Sequence, residues 1–285
     1  MKIAVVGGRG FIGKEFVAYA EEKGHDAVVI GSDCDVFSDA GAAKACHILN
    51  TCEAMVFLAA KRPTNEFTVT EYIYNVRLAE RYLSLANEAG ITNVALTSSR
   101  SVYSNMIRPW KEDELKTPLS LYGASKLAVD SIALLYNEQY GMNIKSLRLA
   151  QVIGMGEHKG FLLNTLIDNA AAGKKQTIYG KGIGRRQYIY VKDVCDALLH
   201  SVVSEKAAKG IYNIGMDCNV SIVELAETIN NVFDNSAGME MFEDKPEDTN
   251  EYLMDVSKAE RELHWKPHYD LRETFVDIRD NCLQN

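Results

Sequence analysis

The chain has 285 residues, 47% of them apolar and 25% charged, with a formal net charge of −8. Apolar periodicity along its length excludes a disordered chain, and the acidic balance argues against a nucleic-acid or anionic-membrane surface, which needs a basic face. A local cationic pocket for a phosphate-bearing ligand stays compatible with that balance. Six cysteines (34, 46, 52, 195, 218 and 282) are scattered, with no C-x-x-C pair and no histidine spacing that suggests zinc. They read as reduced thiols of a cytosolic protein without a metal. Residues 1–20 loosely mimic a signal peptide, but Arg9 and the glycines at 7, 8, 10 and 13 interrupt the apolar run. No stretch reaches the roughly eighteen apolar residues of a membrane span.

In chain order, Lys2–Val6 predicts a buried strand ending in glycine, and 11–23 a helix stopped by Gly24. Strands follow at 27–30 and 55–59, then a long helix over 71–89, a strand at 94–98, a helix over 122–138 and a strand at 144–149. This alternation implies a parallel sheet covered by helices on both faces. Past about residue 155 it loosens. Helices are expected over 161–173, 191–203 and 221–232, the last capped by Ser221 with Glu224 in a capping box. Short strands are expected at 176–179 and 211–215, and the acidic stretch 243–251 reads as an exposed connection.

Residues 7–13 read G-G-R-G-F-I-G between the first strand and the first helix. Both Gly7/Gly10/Gly13 and Gly8/Gly10/Gly13 give usable spacings. Glycines there let the backbone turn tightly and approach a pyrophosphate, whose charge then meets a helix N-terminus. In this strand–turn–helix setting the loop predicts dinucleotide binding. The fold expectation is therefore α/β: a Rossmann-like doubly wound parallel sheet over 1–155, and a smaller mixed substrate lobe over 156–285. Parts of 185–215 are expected to pack back on the first domain. The second strand would normally end in a carboxylate for the adenosine ribose, yet Gly31 and Ser32 stand there. Asp33 lies two residues late for that role. Arg9, with Ser32 opposite, suits a ribose 2′-phosphate instead, so the reading favours NADP, with NAD the alternative.

Tyr-x-x-x-Lys occurs three times, at Tyr19/Lys23, Tyr122/Lys126 and Tyr188/Lys192. Tyr19 lies on the helix after the glycine loop, and Tyr188 in a strand-like run where i and i+4 are not helical neighbours. Tyr122 opens a helix in Y-G-A-S-K, so tyrosine and lysine share one face a turn apart. The strand carrying Ser98 and Ser99 precedes it and ends at the crevice where a cofactor would lie. A phenol that ionises near pH 10 must drop by about three units to act as a base near neutrality, or about 4 kcal/mol. An exposed ion pair contributes at most about 1 kcal/mol, so the site must be partly closed, with Lys126 and an oxidised nicotinamide both lending positive charge. Ser99 would hold the reacting oxygen.

These motifs resemble the extended short-chain dehydrogenase/reductases of the nucleotide-sugar epimerase/dehydratase family, in family order and over nearly the whole length. The resemblance implies cofactor contacts at Gly7, Arg9, Gly10, Phe11, Ile12, Gly13, Ser32, Asp35, Val36, Leu58, Ala59, Ala60 and Asn75, with Tyr122 and Lys126. It implies a catalytic serine at Ser99 and a diphosphate-binding arginine at Arg186, within R-R-Q-Y-I-Y-V-K-D-V. Y-N-I-G (212–215) and S-K-A-E-R-E-L-H-W-K-P (257–267) are similar to its C-terminal landmarks. Asp193 is expected to cap the helix that follows it. The resemblance also implies a homodimer built on the helices around 71–89 and 122–138, and a nucleotide-sugar substrate.

Departures from the pattern narrow the activity. Gly31 replaces the usual acidic strand end, Phe57 stands where a histidine is common, and Arg100–Ser101 occupy the place of the acidic pair of sugar 4,6-dehydratases. Dehydration is therefore not expected. The short segment between the second strand and Asp35 resembles the sugar-nucleotide ketoreductases. The leading expectation is NADP-dependent reduction of a keto-sugar nucleotide, the alternative an epimerase that recycles NAD. A non-catalytic NAD(P) sensor is a third reading, disfavoured because Tyr122, Lys126 and Ser99 are all present. Acyl or phosphoryl transfer is not expected, since neither G-x-S-x-G nor a P-loop occurs.

Overall fold

Along β1 (Lys2–Val6), Ile3 and Val5 enter one apolar core while Ala4 and Val6 enter a second. A strand buried on both faces must be inside a covered parallel sheet. The computed structural model, which describes residues 1–63, 66–104, 108–156 and 162–282 (the side chain of Cys282 excepted), shows that sheet. In chain order the first half contains α1 (Phe11–Glu22), β2 (Asp26–Ile30), α2 (Asp39–Leu49), β3 (Ala54–Phe57), α3 (Val69–Glu88), β4 (Asn93–Ser99), α4 (Leu121–Gln139) and β5 (Asn143–Leu149). The second half adds β6 (Gln151–Ile153), α5 (Leu162–Ala171), β7 (Gln176–Tyr179), β8 (Arg185–Arg186), β9 (Tyr188–Tyr190), α6 (Val191–Val203) and β10 (Gly210–Ile214). It ends with β11 (Val220–Ser221), α7 (Ile222–Val232), β12 (Met239–Phe242), β13 (Glu251–Tyr252) and α8 (Leu271–Cys282).

The six-stranded sheet runs β10-β5-β4-β3-β1-β2, every neighbouring pair parallel. Its order reverses between β1 and β3, and such a switch point opens a crevice beyond the strand ends. The loops that leave β1 and β3, 7–10 and 58–62, face each other there. One core covers the face carrying Ile3, Val5, Val56 and Leu147 and continues into α6, α7 and α8; the other covers Ala4, Val6, Met55 and Phe57 with α3 and α4. The remaining strands form small sheets: β11-β8-β13, β12-β7 and β6-β9.

Several helix N-termini are set by side-chain caps. Ser221 and Glu224 form the expected capping box on α7. Thr68 and Glu71 do the same for α3, and Ser120 Oγ accepts from the Gly123 amide at 3.1 Å to start α4. Helix α2 was not expected. A Cβ on its Gly41 would sit 2.1 Å from the Asp35 carbonyl, so tight packing on the preceding turn requires glycine. Ser38 caps this helix at the Gly41 amide. The stretch 243–251 is largely exposed as expected, yet it is not a free connection. The Glu247 carboxylate accepts from the Lys181 and Gly184 amides at 2.8 and 2.9 Å. Asp193 corrects another expectation: it lies inside α6 and its carboxylate accepts from the His268 and Tyr269 amides, so it anchors the approach to α8 rather than capping its own helix. Among the described residues no helix is long and apolar enough to cross a membrane.

Candidate active site

The glycine loop is shaped by two close approaches. Gly7 has φ +85°, where side chains are strained, and a Cβ on it would lie 2.9 Å from the Ala59 amide nitrogen. A Cβ on Gly13 would lie 2.3 Å from the Gly7 carbonyl, so glycine lets α1 start against its own loop. The Gly7/Gly10/Gly13 spacing therefore carries the turn; Gly8 instead makes room for the Val29 side chain. The loop borders a cavity of about 590 Å³ at the switch point. Of the residues expected at a cofactor, Gly7, Arg9, Gly10, Phe11, Ile12, Gly13, Ser32, Asp35, Val36, Leu58, Ala59 and Ala60 all border it. Tyr74, Leu78 and Tyr82 add an apolar wall from α3 that motif spacing did not single out. Asn75 does not border it. Its side chain accepts from the Lys61 amide at 2.7 Å and donates to the Lys61 carbonyl at 3.0 Å, so it pins the loop after β3 and positions the wall.

At the ribose end, the guanidinium of Arg9 covers Gly31, within 2.8 Å of where a Cβ would stand. It pairs with Asp33 at 3.3 Å, and Lys44 reaches the other oxygen of that carboxylate at 2.5 Å. The hydrogen bond from Lys44 above all, with a smaller contribution from the charge of Arg9, holds Asp33 below the usual carboxylate range. Asp33 lies two residues past Gly31, where the strand-end carboxylate is expected; the turn closed by the Cys34 amide on the Gly31 carbonyl returns it to Arg9.

A second cavity, of about 440 Å³, is bordered by Ser99, Tyr122 and Lys126. It shares Phe11, Ile12, Leu58, Ala60 and Arg62 with the first, so the two form one groove. Lys126 is only 6% exposed; its Nζ donates to the Thr97 carbonyl at 2.8 Å and lies 5.9 Å from the centre of the Tyr122 ring. Phe67 packs edge-on against that ring at 5.6 Å. Ser99 Oγ accepts from the Ser101 amide at 3.1 Å and donates to the Ser101 hydroxyl at 3.2 Å, which fixes it at the end of β4. Beside it, Ser98 Oγ is buried at the same cavity with no hydrogen-bond partner among the described residues.

The other two Tyr-x-x-x-Lys pairs are structural. Tyr19 donates to Asp196 at 2.6 Å, and burial together with that carboxylate raises its pKa. Tyr188 is buried in β9 and likewise raised by burial. Neither phenol is placed to ionise near neutrality. Arg186, expected at a diphosphate, donates to Asp248 Oδ2 at 2.9 Å and to the carbonyls of Asp248 and Asn250, with Tyr252 stacked 4.6 Å away.

A buried polar network holds these pieces in register. Asp130, two turns along α4 from Tyr122, accepts from Ser146 and Arg148 on β5 at 2.5 and 2.8 Å. Arg148 donates to the Tyr103 hydroxyl at 2.8 Å, and Tyr103 donates to Asn213 on β10 at 2.7 Å. The helix carrying the active-site pair, the turn after Ser99 and the sheet edge are thereby joined.

A groove at a switch point, a glycine cradle and a Tyr–Lys–Ser centre are the features of one group of dinucleotide-dependent proteins, and the chain belongs to the NAD dependent epimerase/dehydratase family, whose model matches residues 3–215. It is 31% identical over 199 residues to UDP-glucuronic acid decarboxylase 3 of Arabidopsis thaliana, a match covering 67% of this chain and 57% of that protein. To UDP-glucose 4-epimerase of Corynebacterium glutamicum it is 27% identical over 310 residues, covering 97% and 94%. The crystal structure of UDP-N-acetylglucosamine 4-epimerase from Bacillus cereus superposes with a TM-score of 0.89 at 28% identity, over 100% of this chain and 97% of that one.

Proposed function

We propose that the chain is an epimerase of nucleotide-linked sugars that retains NAD and returns the hydride it removes. The observation that carries this reading is the single groove running from the glycine cradle to Tyr122, Lys126 and Ser99. Gly7 and Gly13 leave the space a pyrophosphate needs, and the 58–60 strand end forms the opposite wall. Bound NAD would supply a hydride acceptor that later serves as donor. Tyr122 takes the proton of the sugar hydroxyl and gives it back, Lys126 keeps positive charge beside the phenol, and Ser99 orients the oxygen. The residues after Ser99 are Arg100 and Ser101, which offer no carboxylate for eliminating water.

The reductase expectation gives way on two grounds. The relatives named above are epimerases and a decarboxylase, all compatible with a recycled cofactor. A ribose 2′-phosphate would also have to approach the ionised Asp33, whereas a 2′-hydroxyl can donate to it. We therefore place NAD ahead of NADP.

The test is the nucleotide released when freshly purified protein is denatured, followed by incubation of the native protein with UDP-sugars. Near-stoichiometric NAD⁺ and interconversion of sugar epimers without net NADH are expected. An empty protein that consumes NADPH on a keto-sugar nucleotide overturns the reading in favour of the reductase.

A further inference from the structure

Arg100 follows Ser99 and borders the same cavity as Ser99, Tyr122 and Lys126. Its guanidinium lies 4.2 Å from the centre of the Tyr252 ring, and Arg186 lies 4.6 Å from that same ring. The two cations differ in what answers them. Arg186 is paired with Asp248 at 2.9 Å and also donates to backbone carbonyls. The Arg100 guanidinium has the Tyr252 ring and, among the described residues, neither an ion pair nor a hydrogen bond; Asp248 reaches it only through its field. Burial pulls its pKa below the ordinary guanidinium value, yet an arginine stays charged at physiological pH.

A part-buried guanidinium with no carboxylate paired to it is placed to take one from a ligand. Its planar fork matches a carboxylate or a phosphate. Position decides between them. Arg100 adjoins the serine that orients the reacting oxygen and borders the same cavity as Tyr122 and Lys126, which Arg186 does not. The charge of Arg186 is already balanced by Asp248. We infer that Arg100 is a specificity-determining residue that pairs with a carboxylate on the sugar, so that the enzyme takes nucleotide-linked uronic acids ahead of neutral hexoses. This rests on the nucleotide-sugar reading above.

Calorimetric titration of the NAD-loaded protein with UDP, UDP-glucose and UDP-glucuronic acid tests it, repeated with dTDP and GDP counterparts. The acidic sugar nucleotide is expected to bind at least about ten-fold tighter than the neutral one. Arg100→Met should erase that preference while changing affinity for the bare nucleoside diphosphate by less than about two-fold, and Arg100→Lys should restore part of it. Equal binding of neutral and acidic sugars by the unaltered protein overturns the inference and leaves the epimerase reading standing. Equal loss for the bare diphosphate in Arg100→Met also overturns it, by assigning the anion to the phosphates. Failure of every nucleotide to bind brings down both readings together. NAD retention and melting temperature report whether each variant is folded, and if Arg100→Met is not, Arg100→Lys and the preference of the unaltered protein decide.

Discussion

Arg148 Nε donates to Asp130 Oδ2 across 2.8 Å with both side chains 1% exposed, and this pair ties the helix of Tyr122 and Lys126 to β5. Breaking one partner of such a pair leaves a buried charge unanswered. Asp130→Asn should cost about 3–5 kcal/mol in a urea melt. Removing both charges in Asp130→Leu/Arg148→Met should cost less than the single change. A double variant less stable than Asp130→Asn would show that the wider network through Tyr103 and Asn213, not the pair, carries the cost.

Tyr122→Phe removes only a hydroxyl from the groove. Turnover should fall about 10²–10⁴-fold, the range for losing a positioned acid–base group, with NAD still retained. Lys126→Met should lower turnover as well, and its loss from the Thr97 carbonyl should also weaken NAD. Full turnover by Tyr122→Phe in a steady-state assay would move the proton transfer to another group.

Asp33 sits between Arg9 and Lys44. Neutralising it should weaken NAD and strengthen NADP, because a 2′-phosphate would then meet two cations and no carboxylate. Fluorescence titration of Asp33→Asn with NADH and NADPH checks this; parallel changes for both cofactors would remove Asp33 from cofactor selection. Arg9→Ala, in the Asp33→Asn background, should reverse the gain for NADPH.

Lys145 on β5 is fully buried with no partner for its ammonium among the described residues, and burial alone lowers its pKa to about 8. Between pH 8 and about 10.4 the unfolded chain holds a proton that the folded chain has lost, so this group makes stability rise with pH across that window. Below pH 8 the full cost of charging it, about 3 kcal/mol, is present. Lys145→Met should therefore raise the melting temperature at pH 7, and its advantage should shrink as pH climbs toward 10. An advantage independent of pH would mean that packing, not charge, is responsible.

Helices α3 and α4 lie side by side and leave Ile73, Leu134, Leu135 and Tyr140 exposed, Leu135 by 53%. We propose this face as the dimer contact. Leu135→Glu should shift the molar mass in light scattering from dimer to monomer; a native protein already monomeric at micromolar concentration would refute the contact.

The periodic parts of this protein were determined locally. Strand β1, the glycine loop, the Tyr122 helix and the Ser221–Glu224 capping box depend on neighbours within a few residues, so spacing alone disclosed them. Choosing Tyr122 over Tyr19 and Tyr188 was also possible locally, because only Tyr122 opens a helix after a serine-bearing strand. Other features needed the folded chain. Helix α2 was not expected, and its Gly41 finds its reason only where the helix packs on the Asp35 carbonyl. Asn75 reads as a cofactor ligand until its amide meets Lys61, and Asp193 as a cap until it meets the amides before α8. Arg100 reads as a missing carboxylate until Tyr252, 152 positions later, comes to lie 4.2 Å away. Hydrogen-bond and charge partners that lie far apart in the chain meet only through the topology of the sheet, and so the tertiary structure alone decides which buried charges are answered.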